Sequence, residues 1–142
     1  MRAWKRGLAI VLAVAVSALI LVACGHGEFS SKTPDIPAAA DAAGSQVIDE
    51  GTAPNRFAGG TEASWYAVSR TDSAEDGVLV GVLSFDSQKA RDRAFTEIQY
   101  RTDSLPNSVV YTSGDSVVVV GRIRDRALLQ DLAGELEAAG AK

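Results

Sequence analysis

Residues that carry chemistry are scarce in this sequence. The 142-residue chain has one cysteine, Cys24, and one histidine, His26. A single cysteine excludes an internal disulfide. One cysteine and one histidine cannot furnish a zinc site, and with His26 alone no Ser-His-Asp constellation forms elsewhere. His26 has metal or proton chemistry as its functional reading; a solvated residue in a polar stretch is the simpler one. Neither GxxxxGK[ST] nor GxGxxG occurs, so the glycine-rich cradles for nucleotide phosphates are missing. EF-hand spacing is missing too. Asp72, Glu75 and Asp76 form an acidic turn tip that reads as a solvated loop more readily than as a weak calcium site. Asp86, Asp103 and Asp115 fall at expected caps and turns, where structural roles account for them. No catalytic residue, metal or cofactor is expected, and the sequence points away from an enzyme.

Basic charge is also in short supply. Lys and Arg number 14 against 18 Asp and Glu, a net charge of −4. That balance argues against nucleic-acid binding, which needs a basic surface. It also argues against a polybasic lipid-binding patch. Arg122, Arg124 and Arg126 cluster, but beside Asp125 they read as a solvated helix entry rather than an anion site.

Hydrophobic residues make up 46% of the chain and are unevenly spread. Arg2, Lys5 and Arg6 come first, with no acid among them. The uncharged run GLAIVLAVAVSALILVA follows from Gly7 to Ala23, and after Cys24 the chain turns polar. A positive start, an apolar stretch and small residues at its end are the parts of a secretory signal. Basic residues stay on the cytoplasmic side, so the rest of the chain is moved outward. The 17-residue run is at the short limit for a spanning helix, and an uncleaved anchor is the alternative reading.

Leu21-Val22-Ala23-Cys24 resembles the lipobox of bacterial lipoproteins: aliphatic, small or aliphatic, small, then cysteine. The resemblance covers the N-terminal segment alone. It implies diacylglycerol on the Cys24 thiol, cleavage between Ala23 and Cys24, and in some members a further N-acyl group. It also implies a lipid-anchored protein on the outer face of the cell membrane, or of an outer membrane where one exists. Two or three acyl chains suffice for stable anchoring. Processing would remove three bases and no acid, leaving 11 bases against 18 acids, a net of −7.

Three segments are expected: a signal peptide at 1–23, a lipidated cysteine and disordered linker at 24–56, and a small α+β domain at 57–142. The linker is rich in Gly, Ala, Ser, Pro and Asp and holds Pro34, Pro37 and Pro54. Such a composition buries too little to offset chain entropy, and thirty flexible residues would span roughly 30 Å. Val47 and Ile48 are its only apolar pair, suited to a short edge strand.

In the domain, residues 62–70 and 78–85 read as strands, the second a continuous apolar run. A helix capped at Asp86-Ser87 runs to about Arg101. It should bury Ala90, Ala94, Phe95 and Ile98 and leave Lys89, Arg91, Asp92, Arg93 and Glu97 in water. Leu105-Pro106-Asn107 ends the connection. Residues 108–113 and 116–122 flank Gly114-Asp115, a two-residue hairpin turn of type II′. Asp125 caps a last helix, to about Ala139, with Leu128, Leu129, Leu132, Ala133 and Leu136 inward; Gly140 stops it. The order ββαββα gives a two-layer sandwich: a permuted ferredoxin-like, four-stranded antiparallel sheet with two helices on one face. Its strands lie in the order first, second, fourth, third.

The two central strands are apolar on both faces. The second face therefore needs cover: linker near Val47 or Phe57, a second copy, or a partner. Trp65 and Tyr66 point to opposite faces and are candidate partner contacts, with strand addition at the edge around Trp65 as the docking mode. These features point to a non-catalytic, lipid-anchored envelope protein that binds another envelope protein or itself. The alternative is a binding protein for a small envelope ligand, with an apolar pocket near Phe57, Trp65 and Tyr111.

Overall fold

The computed structural model describes residues 28–102 and 108–138. It is a mixed α+β structure with one five-stranded antiparallel sheet and three helices. In chain order these are α1 (Ile36–Ala42), β1 (Gln46–Ala53), β2 (Gly60–Ser69), β3 (Val78–Phe85), α2 (Gln88–Thr102), β4 (Val109–Ser113), β5 (Ser116–Gly121) and α3 (Arg126–Ala138), with a 3-10 turn at Ala74–Asp76. Across the sheet the strands run β1-β2-β3-β5-β4. The order of the four expected strands stands, and a fifth strand is added outside β2. None of the described helices is long and apolar enough to cross a membrane.

The fifth strand corrects the linker. Residues 36–53, expected to be disordered apart from a short edge strand at Val47-Ile48, form α1 and β1, and that pair lies in β1 at the sheet edge. Asp35 caps α1 by accepting from the Ala38 amide at 3.0 Å, and Pro37 lies in the first turn, where proline's missing N–H costs nothing. The helix buries Ile36, Ala39 and Ala40. These are mostly small side chains, so α1 can pack closely without a large apolar stripe. β1 is held by main-chain pairing to β2 from Gln46↔Ser69 to Ala53↔Ala63, with a bulge at Ile48.

Strand alternation divides the core in two. Val80↔Val120 and Val82↔Val118 point to one face, where α1 and Leu128, Leu132 and Leu136 of α3 cover them. Leu83↔Val117 point to the other, where Ala94, Phe95 and Ile98 of α2 close over Phe85. The expected helices therefore lie on opposite faces, not on one. The chain path gives the reason. β3 and β4 both run antiparallel to β5, so they are parallel to each other and α2 is the crossover between them. No strand follows α3 among the described residues, so no crossover ties α3 to the face of α2.

This arrangement also shows what covers the second face. α2 does so over β3, β5 and β4, while Phe57, the first residue of the expected domain, packs on Phe85 edge-to-face, ring centres 6.4 Å apart. Ser87 caps α2 by accepting from Ala90 at 3.2 Å, and Asp125 caps α3 by accepting from Leu128 at 3.0 Å. Leu105-Pro106-Asn107 and Gly140 lie outside the described residues.

Candidate functional site

The most elaborate polar construction in the fold is where the N-terminal segment meets the β4–β5 hairpin. Its centre is Arg91, on α2. Expected in water, it is wholly buried. Its Nε and Nη2 donate to the Asp92 carboxylate at 3.0 and 2.9 Å. Its Nη1 donates to the Gly114 carbonyl at 2.6 Å and the Glu28 carbonyl at 3.3 Å. The guanidinium stands 5.6 Å from the Phe29 ring centre. A buried guanidinium is tolerated only when its fork is filled, and here one carboxylate, two carbonyls and a ring face fill it.

The turn itself takes the next residues. The Asp115 amide donates to the Lys32 carbonyl at 3.3 Å. Thr33 Oγ1 donates to the Asp115 carboxylate, 3.1 Å from each oxygen. Gly114 has φ +57°, as the first central position of a type II′ turn requires. A Cβ there would fall 1.8 Å from the Lys32 carbonyl oxygen, so glycine is needed for the crossing as well as for the turn. Residues 28–35 are thus strapped across the hairpin tip. A cleft of about 450 Å³ opens beside the strap, lined by Phe29, Pro34, Ala38, Glu135 and Leu136 among others.

Ala23 and Cys24, with His26, lie outside the described residues. Trp65 and Tyr66 point to opposite faces as expected. Tyr66 packs on the α1/α3 core, and the half-buried Trp65 lies across Gly51. They sit on β2, however, between β1 and β3. Strand addition beside Trp65 is closed because β1 already occupies that edge. The outer edge of β1 carries Asp49, Glu50 and the bulge, features that discourage further pairing.

Phe57, Trp65 and Tyr111 do not share a pocket. Phe57 belongs to the α2 face and Tyr111 to the α1/α3 face. Tyr111 Oη is buried with no hydrogen-bond partner among the described residues. Burial, then the nearby Glu137 charge, pushes its hydroxyl well above the ordinary value near 10.

The acidic turn is held by its own contacts: Asp76 accepts from Thr71 Oγ1 at 3.1 Å, and Asp72 from Gln46 at 3.3 Å. Among the described residues no group of three His, Cys, Asp or Glu side chains is placed to hold a metal ion. Arg122 and Arg124 are exposed beside the half-buried Asp125 that caps α3.

The signal that could have found Arg91 is its spacing. Positions 91, 94, 95 and 98 fall on one helical face. No protein-family model matches this chain, and no curated protein or solved structure does either.

Proposed function

We propose that this chain is a bacterial lipoprotein: a lipid-anchored, non-catalytic module of the cell envelope that contacts another envelope protein or a second copy of itself. The observation that carries the reading is Leu21-Val22-Ala23-Cys24 at the end of a basic-then-apolar segment. Diacylglycerol on Cys24 gives the sole cysteine a role and places the domain outside the membrane. The half-buried Trp65 and Leu79, on the sheet face beyond the reach of α2, are the favoured partner contacts, by side chains rather than by strand addition. Intact-mass measurement of protein from the membrane fraction tests the anchor. Cleavage before Cys24 with added diacylglycerol supports it; an unmodified thiol, or retention of residues 1–23, rejects it. In-cell cross-linking of the acylated protein against Trp65→Ala then tests the contact, and an unchanged cross-link pattern removes Trp65 from it.

The cleft beside the strap favours a second reading, a binding protein for a small envelope ligand. Its size is within the range of small-molecule sites. A ligand screen read by thermal shift, with Ala38→Trp filling the cleft, separates the two. Stabilisation lost in that variant supports ligand binding, and no stabilisation by any compound counts against it.

A further inference from the structure

The domain starts close to the anchor. Glu28 is already fixed by Arg91, and it is only four residues after Cys24. Consecutive Cα atoms are 3.8 Å apart, so four steps reach at most ~15 Å. A disordered linker to residue 56 would have let the domain turn freely well above the headgroups. A strap beginning at Glu28 removes that freedom.

The strap also selects which end of the domain is near the anchor. It crosses the Gly114–Asp115 turn. Asp115 adjoins the end of β3 through its carbonyl, which accepts from Phe85 at 3.0 Å. The 54–59 loop reaches the same end, where Asn55 donates to the Ser84 carbonyl at 2.7 Å. The start of α2 lies there too. Exposed Lys32, Arg56, Lys89 and Arg93 stand at this end beside Glu28, Asp35, Glu62, Asp86 and Asp115, a nearly balanced set. The processed chain carries a net of −7, so most of its excess negative charge lies elsewhere. An anionic leaflet repels that remainder more than this end.

Resting on the lipid-anchor reading, we infer that the end built from residues 28–35, the 54–59 loop, the start of α2 and the β4–β5 turn lies against the phospholipid headgroups. The turn at 71–77 faces away, at the other end of β3. The strap orients the domain, and weak electrostatics reinforce the orientation. The sheet face with Trp65 then stands beside the membrane, open to a neighbour in the same leaflet.

The test uses the acylated protein in nanodiscs of phosphatidylcholine and phosphatidylglycerol, with a gadolinium chelate on a fraction of the headgroups. Intact mass is measured first. The expected result is that amide NMR signals of Lys32, Lys89 and Gly114 lose most of their intensity, while those of Glu75 and Arg124 keep theirs. A Gly/Ser spacer of roughly twenty residues inserted after Gly27 adds a span of ~25 Å and should restore the lost signals without altering acylation. No acyl mass on Cys24 overturns the anchor reading and this inference with it. An acylated chain with uniform broadening, or none, overturns the orientation alone. Broadening that survives the spacer overturns the tether as its cause.

Discussion

The indole of Trp65 lies across the backbone of Gly51, its cross-strand neighbour. A Cβ on Gly51 would come within 2.6 Å of the ring nitrogen. On its other side Trp65 pairs with Gly81. Gly51 thus leaves room for one large ring on the sheet face, and the edge strand is fastened partly by that ring. Gly51→Val should displace the indole and cost about 1–3 kcal/mol, the usual range for overpacking. In the chain cleaved before Cys24, Trp65 is the sole tryptophan, so its emission reports the change directly. A red shift with a lowered unfolding midpoint is expected; unchanged emission would contradict the placement.

Arg91 gives a second expectation. Arg91→Ala removes every bond that its fork makes and should destabilise the domain by about 3 kcal/mol, as expected for breaking a buried ion pair. Arg91→Lys keeps the charge but not the planar fork, and should recover only part of the loss. Denaturant unfolding measures both. Hydrogen exchange of the Asp115 amide, which bonds the Lys32 carbonyl, should accelerate in both variants before global unfolding does.

Tyr111 predicts a pH effect with a definite sign. Its hydroxyl pKa is raised in the folded state by burial, and secondarily by Glu137. Below the ordinary value near 10 the phenol is protonated whether the chain is folded or not, and this favourable contribution is whole. As pH rises past 10 the unfolded chain releases the proton while the folded chain keeps it, so stability falls. Tyr111→Phe should flatten that alkaline decline. Because the hydroxyl has no hydrogen-bond partner among the described residues, its removal should cost nothing at neutral pH and could add about 1 kcal/mol. Unfolding midpoints between pH 8 and 11 provide the check.

Arg122, just after β5, is the one described non-glycine residue with positive φ, at 48°. The left-handed region strains a residue with a Cβ and suits glycine. Arg122→Gly should therefore stabilise the domain by about 1 kcal/mol, read as a higher unfolding temperature. A loss of stability would show that the side chain contributes more than its backbone costs.

Strands β2 to β5, α2 and α3 could be read from the sequence because each carries its period. Val78–Phe85 is a β-branched apolar run, and Leu128, Leu132 and Leu136 recur every four residues. α1 could not, and of β1 only the Val47-Ile48 pair could. Ile36, Ala39 and Ala40 look like a low-complexity stretch, since small side chains pack without an obvious hydrophobic stripe. β1 (QVIDEGTA) is held mainly by backbone pairing, which leaves little mark on composition. Arg91 is hard to place for a different reason. Its position on the helix marks it as buried, but its charge suggests water, and only the folded chain reveals the carbonyls of Glu28 and Gly114 that make burial tolerable. The Trp65 strand reads as an edge because the Val47-Ile48 pair marks only two residues of the strand that covers it.

The strap across the hairpin has a consequence for the order of folding. Thr33 and Asp115 are 82 positions apart, and Ile36 shares a core with Leu136. A chain delivered from its N-terminus has to wait for nearly all of its length before residues 28–42 find their partners. Closing so long a loop is entropically slow. The β2–β5 sheet can assemble first, and the first-made part of the domain is then the last to be fastened.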